Sequence, residues 1–173
     1  MNDARQIGLQ GFCQAIAPSN SSLPFMNNKQ KLYDQCLAYV QQRIDTAMEA
    51  MLETQESANS ESKSSAGDKY ETGRAMAQLE RDRHAQLLAD SQRMLQELQH
   101  IDLVPAVVIR SGSLVKTSRG TFFISIGAGR IRVDGTDYLA VSSASPMGMA
   151  LRGKRVGDIA MFNNVTYIIE EVD

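Results

Sequence analysis

The segment "QHIDLVPAVVIR", residues Gln99–Arg110, separates two parts of the chain that have different hydrophobic periods. On its N-terminal side, apolar residues recur every three or four positions, which is the spacing of an amphipathic helix. On its C-terminal side, short apolar stretches alternate with turn residues, as in β-strands. Pro105 marks the change, because the residue before a proline avoids helical geometry. The sequence therefore predicts an α+β protein, with a helical part followed by a small, mostly antiparallel β domain.

The helical part, residues 28–102, contains two amphipathic segments joined by polar residues. The first apolar stripe consists of Leu32, Cys36, Val40, Ile44, Ala47 and Met51. The second consists of Met76, Leu79, Arg83, Leu87, Met94 and Leu98. Each stripe can be buried only against the other, which predicts an antiparallel helical hairpin with its tip near residues 61–71. A coiled-coil arm that dimerises the protein is the alternative.

Six short strands are expected in the β domain, residues 106–173. Their sequences are SLVKT, TFFISI, GRIRV, TDYLAVS, DIAMF and VTYIIEEV. The pairs Asp134-Gly135 and Asn163-Asn164 lie where two-residue hairpin turns require positive φ angles. The segment "GAGR", residues 127–130, is interpreted as a further turn between two strands.

The composition is that of a globular protein with one or two small domains. The 173 residues carry a formal net charge of −2 and are 43 % hydrophobic. Near-neutral charge argues against a dedicated duplex-DNA binder, and no apolar run is long enough to suggest a membrane span. Cys13 and Cys36 lack metal-ligand spacing, and a buried, reduced Cys36 favours the cytoplasm. His84 and His100 are expected to be exposed, and residues 1–27 are interpreted as a disordered leader.

The tip segment "GDKYE", residues 67–71, carries two carboxylates three positions apart, Asp68 and Glu71. One interpretation is a capping box, in which Asp68 accepts a hydrogen bond from the first helical turn and Glu71 reaches back. The other is a pair that assists a metal ion, because this spacing places both carboxylates on one helix face. Two carboxylates cannot surround Mg²⁺ alone, but they could complete a phosphate-handling site in another molecule.

Two segments resemble the Gre transcript-cleavage factors of bacterial RNA polymerase. The stretch "SPMGMALRGKRVGD", Ser145–Asp158, is similar to that family's Ser-Pro and Leu-x-Gly-Lys-x-x-Gly-Asp signature. The tip is similar to the family's Gly-Asp-x-x-Glu motif, and the arm lengths on either side of Asp68 are similar as well. The resemblance spans residues 28–173. One departure is Ala144, which stands where the family often has an acidic residue.

The resemblance implies a transcription elongation factor that is not itself an enzyme. Its hairpin would enter the secondary channel of RNA polymerase, close to the 3′ end of the nascent RNA. Asp68 and Glu71 would help to hold a catalytic Mg²⁺ shared with the polymerase, which itself cleaves backtracked RNA. The C-terminal domain would be FKBP-like and would contact the polymerase through Ser145 and Pro146. A monomeric cytoplasmic protein with no membrane contact is expected.

Three other functions are open on the sequence alone. A Gre-like regulator could occupy the channel without stimulating cleavage, although a mere plug needs neither tip carboxylate. A scaffold built on the hairpin would dimerise as the concentration rises. A peptidyl-prolyl isomerase would need an apolar pocket walled by aromatic side chains, and the core of the β domain could use all of its aromatics. These aromatics are Phe122, Phe123, Tyr138, Phe162 and Tyr167.

Overall fold

Two long helices form the N-terminal part of the protein. The computed structural model describes residues 23–61 and 69–173, with the backbone alone described at Glu71 and some other helix-end positions. Helix α1 spans Leu23–Glu61 and helix α2 spans Lys69–Gln99. Helix α1 begins before the expected start at residue 28. Pro24 is compatible with this start, because N–H groups in the first turn have no intrahelical partner. Residues 1–22, which make up most of the predicted leader, lie outside the described residues.

The β domain contains six strands and one short helix. In chain order they are β1 Leu114–Thr117, β2 Gly120–Ser125, β3 Gly129–Val133, β4 Thr136–Ser142, α3 Pro146–Leu151, β5 Ile159–Phe162 and β6 Val165–Val172. All six predicted strands are confirmed, and with them the α+β class. Helix α3 was not expected, because six residues are too few to show a helical period.

The strands form one sheet in the order β3-β4-β2-β1-β6-β5. Neighbouring strands are antiparallel except for β2 and β4, which run parallel. The turns at Asp134-Gly135 and Asn163-Asn164 connect β3 to β4 and β5 to β6, and all four residues have the expected positive φ. Residues 127–130 do not form a hairpin turn, because β4 lies between β2 and β3 in the sheet.

Each face of the sheet is buried against a different apolar cluster. One face packs against the start of α1 and the end of α2. This cluster, the hairpin-side core, contains Leu32, Cys36, Val40, Ile44, Leu98, Leu114, Phe123, Ile126, Ile131, Val133, Tyr138 and Ala140. The opposite cluster contains Ile109, Val115, Phe122, Ile124, Met147, Leu151, Ala160 and Ile169. Alternation along β2 sends neighbouring phenylalanines to opposite faces. The base of the hairpin therefore shares a core with the sheet.

Among the described residues, the distal half of the hairpin contributes no buried side chain to the hairpin-side core. On α1 the last member of that core is Ile44, and the helix continues to Glu61. These further residues extend the rod by about 25 Å at 1.5 Å per residue. Large apolar side chains in this part are exposed, including Leu52 at 62 % and Leu79 at 63 %. The described part of the hairpin is therefore anchored at its base.

The predicted apolar stripe of α2 is wrong in its first half. Met76, Leu79 and Leu87 are exposed, and the buried face is shifted around the helix. The positions that follow the seam spacing and are buried or half-buried are Ala77, His84, Leu88, Ser91, Leu95 and Leu98. Small and polar residues at several of these positions hide the seam from a search for apolar periodicity. His84 is half-buried, contrary to expectation, whereas His100 is exposed as expected.

Candidate functional site

The two tip carboxylates fall at the edge of what the structure describes. Asp68 lies outside the described residues, within the undescribed segment 62–68. Glu71 is the third residue of α2, and only its backbone is described. Helix α2 starts at Lys69, the residue directly after Asp68 in the sequence. Capping and metal assistance by this pair therefore both stay predictions.

Ser145 and Pro146, the predicted partner contact, form the start of α3. The N–H of Gly148 donates to Ser145 Oγ at 3.0 Å, and this hydroxyl donates to the carbonyl oxygen of Ser142 at 2.7 Å. Ser145 is thus the N-cap of the helix. Pro146 occupies the first turn, where its missing N–H costs no hydrogen bond and its fixed φ suits the helix. Both residues are accounted for by local folding, while Pro146 also remains exposed.

Gly148 allows α3 to approach the end of β4. A Cβ at this position would lie 2.1 Å from the carbonyl oxygen of Ser142, which is far closer than side chains come to backbone. Met147 and Leu151 then reach the core on the inner side of the helix, and Met149 on the outer side is 60 % exposed. The outer side of α3 therefore exposes an apolar side chain to solvent.

The Gly-Lys-x-x-Gly-Asp part of the signature forms the connection from α3 to β5. Gly153 and Gly157 have φ angles of 80° and 89°, a region that favours glycine. Asp158 Oδ2 accepts a hydrogen bond from the N–H of Arg155 at 2.8 Å. The N–H of Gly157 donates to the carbonyl oxygen of Ile169, which ties the connection to β6. The two glycines and Asp158 thus have structural roles in the turn itself.

Sequence reasoning missed a buried ion pair that joins the hairpin to the sheet. Lys29 on α1 is 2 % exposed, and its Nζ lies 3.8 Å from Oδ1 of Asp173. Among the described residues, this Nζ has no hydrogen-bond partner. Burial lowers the pKa of Lys29, and the nearby carboxylate of Asp173 offsets only part of that effect. A signal was present in the sequence, because Lys29 precedes Leu32 by three residues and so continues the apolar stripe.

A second ion pair organises the segment between the hairpin and the sheet. Arg110 Nη2 lies 3.1 Å from Asp102 Oδ2. The N–H of Val104 donates to Asp102 Oδ1, and this bond, followed by the bond from Arg110, lowers the pKa of the Asp102 carboxyl. Gly112 has a φ of 92°, and a Cβ there would lie 2.1 Å from the carbonyl oxygen of Asp102. The linker is therefore held tightly against the first strand.

Of the two cysteines considered in the sequence, Cys36 has a structural explanation and Cys13 lies outside the described residues. Cys36 is buried as expected, with its Sγ 3.6 Å from Ser125 Oγ, and burial raises the pKa of its thiol. Within residues 23–61 and 69–173, no three His, Cys, Asp or Glu side chains are grouped so that they could hold a metal ion. None of the described helices is long and apolar enough to cross a membrane.

The aromatic side chains of the β domain are taken up by its two clusters. Phe122, Phe123 and Tyr138 are buried in them. Phe162 and Tyr167 pack against the second cluster, where the rings of Phe122 and Tyr167 lie 5.9 Å apart in an edge-on contact. An isomerase pocket would need aromatic walls that face a cavity. The aromatics of this domain are used for packing instead, which removes the argument for that function.

Fold and site together define an α+β protein in which a helical hairpin stands on one face of a six-stranded sheet. Comparison with known proteins finds no matching family model and no matching curated protein. Among solved structures, the chain is similar to GreA factor homolog 1 (Gfh1) of Thermus thermophilus, with 18 % identity over 86 % of this chain and 94 % of that one, at a TM-score of 0.31. A second structure, described as the transcription factor Gfh1, has 19 % identity over 81 % and 92 % of the two chains, also at 0.31. At these values the likeness does not establish a family.

Proposed function

We propose that this protein is a Gre-type transcription elongation factor. Its hairpin enters the secondary channel of RNA polymerase, and the tip stimulates Mg²⁺-dependent cleavage of backtracked RNA by the polymerase. Asp68 and Glu71 assist at the polymerase active site, and the surface around Ser145 and Pro146 contacts the polymerase from outside.

The observation that carries the proposal is the separation of the two Gre-like motifs along the molecule. The tip motif begins within the connection between Glu61 and Lys69, the ends of the two long helices. The Ser145–Asp158 signature belongs to the β domain, at the base of the same hairpin. A rod anchored at its base leaves its far end able to reach a recessed site. In this arrangement the tip extends to the polymerase active site, while the β domain at the base of the hairpin binds the polymerase from outside.

The tip residues are suited to assist a metal ion bound in another molecule rather than to bind one by themselves. Carboxylate oxygens are the ligands that Mg²⁺ prefers, and this ion retains several waters or shares phosphate oxygens. Asp68 and Glu71 supply too few ligands for a complete site. In the polymerase, their charge would favour a second catalytic Mg²⁺, which supplies activation of the attacking water.

The test uses variants that separate capping from charge. Asn caps a helix about as well as Asp, and Gln replaces Glu in a capping box. Asp68→Asn and Glu71→Gln therefore keep the helix start but remove each negative charge. We expect each to slow RNA cleavage in a stalled, backtracked complex of the organism's own polymerase by about 10–100-fold, as for residues that support a catalytic metal. Asp68→Ala, which removes cap and charge together, should be slowed to a similar extent.

Binding to the complex and far-ultraviolet circular dichroism are measured for every variant. Unchanged binding and helicity with lost cleavage would assign the carboxylates to the reaction. Cleavage at the wild-type rate in both charge-removing variants would leave Asp68 and Glu71 with the capping role alone. Wild-type protein that binds but does not accelerate cleavage would instead be a regulator that occupies the channel.

A further inference from the structure

A shallow apolar groove lies on the β domain beside the connection that follows α3. Its cavity has a volume of 420 Å³. The lining residues are Pro105, Ala106, Val107, Arg155, Val156 and Val172. Val107 is 76 % exposed and Val156 is 58 % exposed. Folding does not require apolar side chains at positions that are this exposed. Exposed apolar side chains grouped around a cavity are typical of a surface that another molecule covers.

The two walls of this groove are fixed to each other by backbone hydrogen bonds. The N–H of Ile109 donates to the carbonyl oxygen of Lys154, and the N–H of Gly153 donates to the carbonyl oxygen of Ile109, both at 2.9 Å. Ile109 itself is buried in the second core cluster. The groove is therefore formed in the free protein, so a partner would not have to order it on binding.

The rim of the groove is basic at Arg155, which lines the cavity, and two further basic residues lie shortly before Arg155 in the sequence. Arg152, Lys154 and Arg155 follow one another within the connection after α3, and both arginines are exposed. In the part of the chain that the structure describes, none of these three side chains forms an ion pair. The nearest acidic side chain in sequence, Asp158, accepts a bond from the backbone N–H of Arg155. Cations without counter-charges around an apolar floor are complementary to an apolar segment flanked by carboxylates.

We infer that this groove is a docking site for an acidic, apolar surface segment of RNA polymerase. This inference rests on the proposed function and adds the chemistry of the contact. The apolar side chains of the segment cover Val107 and Val156, while its carboxylates meet Arg152 and Arg155. The connection that carries Arg155 and Val156 follows α3, whose N-cap is Ser145 and whose first residue is Pro146. The polymerase contact thus extends from the N-cap of α3 to the connection beyond its other end.

The test measures binding of the full-length protein to core RNA polymerase of the same organism by biolayer interferometry over a range of salt concentrations. Arg152→Glu/Arg155→Glu reverses the charge at the rim. The matched control, Arg130→Glu/Arg132→Glu, makes the same change in net charge on β3, at the opposite edge of the sheet. Val107→Ser removes apolar surface without altering charge. We expect the rim variant to bind about 10-fold more weakly at low salt, and less so as salt screens the contact. Val107→Ser should weaken binding at every salt concentration, and the control should bind as wild type does.

Each other outcome overturns the inference in a different way. Wild-type binding retained in both the rim variant and Val107→Ser would exclude the groove and leave the proposed function standing. Equal weakening by the control would show that net charge alone governs binding. Wild-type protein that does not bind the polymerase would remove the proposed function and the groove's assignment together. Sedimentation of the free protein completes the test, because self-association abolished by the groove variants would identify a second copy as the occupant.

Discussion

Gly148 occupies a position in α3 where no other residue fits without backbone movement. The obstruction is the carbonyl oxygen of Ser142, which is part of the chain and cannot rotate away as a flexible side chain would. Close packing makes such a clash costly, because surrounding groups have little room to shift. The glycine is therefore a requirement of the local fold, and it keeps Ser145 and Pro146 in place at the surface.

Gly148→Ala is expected to lower the free energy of unfolding by about 1–3 kcal/mol, the usual cost of overpacking. Gly127→Ala is the matched control, since a Cβ at Gly127 meets no atom within 4 Å. Urea unfolding of both variants measures the difference. Equal stability of the two variants would contradict the assignment of Gly148 to a close backbone contact.

Lys29 is a residue whose burial is only partly compensated. Its ammonium group is removed from water at the junction of α1 and β6, and Asp173 is 3.8 Å away rather than at hydrogen-bond distance. Groups of the linker that also act on it are Arg110, which lowers its pKa further, and Asp102, which raises it. The net effect of burial is a pKa below the ordinary value of 10.5.

This lowered pKa predicts how stability depends on pH. Between the folded-state pKa and 10.5 the unfolded chain binds more protons at Lys29, so stability rises with pH in that window. Lys29→Met removes the titration. The unfolding free energy of wild type minus that of Lys29→Met should therefore increase as the pH rises from the lowered folded-state pKa of Lys29 toward 10.5, by at most about 1.4 kcal/mol per pH unit. Denaturant unfolding at several pH values measures this difference, and a flat or falling difference would contradict the burial argument.

At the scale of the element, helix α2 packs against α1 with a different face from the one that its apolar residues predict. Ser91 is fully buried in the seam, where its hydroxyl donates to the carbonyl oxygen of Leu87 and accepts from Arg43 Nε. A serine that bonds its own helix backbone can be buried with its polar atoms satisfied. Leu79 meanwhile faces solvent. The helix is thus held by a seam that mixes apolar, small and polar residues.

Two substitutions on α2 distinguish the observed seam from the predicted one. Leu98→Ala is expected to lower the free energy of unfolding by about 2–5 kcal/mol, because Leu98 is fully buried in the hairpin-side core. Leu79→Gln is expected to change it by less than about 0.5 kcal/mol, because the side chain is already in solvent. Thermal unfolding of both variants provides the comparison. A large loss of stability in Leu79→Gln would instead support the apolar stripe that the sequence predicts.

At the scale of the whole molecule, the hairpin and the sheet are joined through one core. Leu32 and Leu98 of the helices pack in the same cluster as Phe123 of the sheet. Polar contacts reinforce this junction, since Lys31 Nζ lies 2.6 Å from Asp134 Oδ2 and Asn28 donates to the hydroxyl of Tyr138. The base of the hairpin therefore depends on the sheet for its burial, whereas the distal half does not.

This shared core predicts that the base of the hairpin and the sheet unfold together. Three of the five tyrosines, Tyr33, Tyr39 and Tyr138, lie in or against the hairpin-side core, and the chain has no tryptophan, so tyrosine fluorescence reports mainly on that junction. Its urea midpoint should coincide with that of the main loss of helical circular dichroism, as in a cooperative transition. Loss of most helical signal at clearly lower urea concentrations would mean that the hairpin unfolds independently of the sheet.

The sequence by itself determined the elements that depend on local chemistry. The strands and the turns at Asp134-Gly135 and Asn163-Asn164 follow from alternation and from residues that tolerate positive φ. The apolar stripe of α1 from Leu32 to Ile44 was equally visible, because one continuous face of that helix is buried. At the candidate site, the sequence identified Ser145 and Pro146 as a distinctive pair but did not reveal that they begin a helix.

Only the tertiary structure decided which elements lie side by side. Strand β2 pairs in parallel with β4, and β3 lies beyond β4 at the edge of the sheet. This arrangement depends on contacts between residues distant in the chain. The position of Lys29 on the apolar stripe indicates its burial, but its pairing with Asp173 joins positions near the two ends of the described chain, so no local pattern specifies that partner. The groove beside Val107 and Val156 arises in the same way, from a linker and a loop brought together by the sheet. Local propensity acts over a few neighbouring residues, whereas burial depends on the packing of the whole chain, and that is the physical reason for the division.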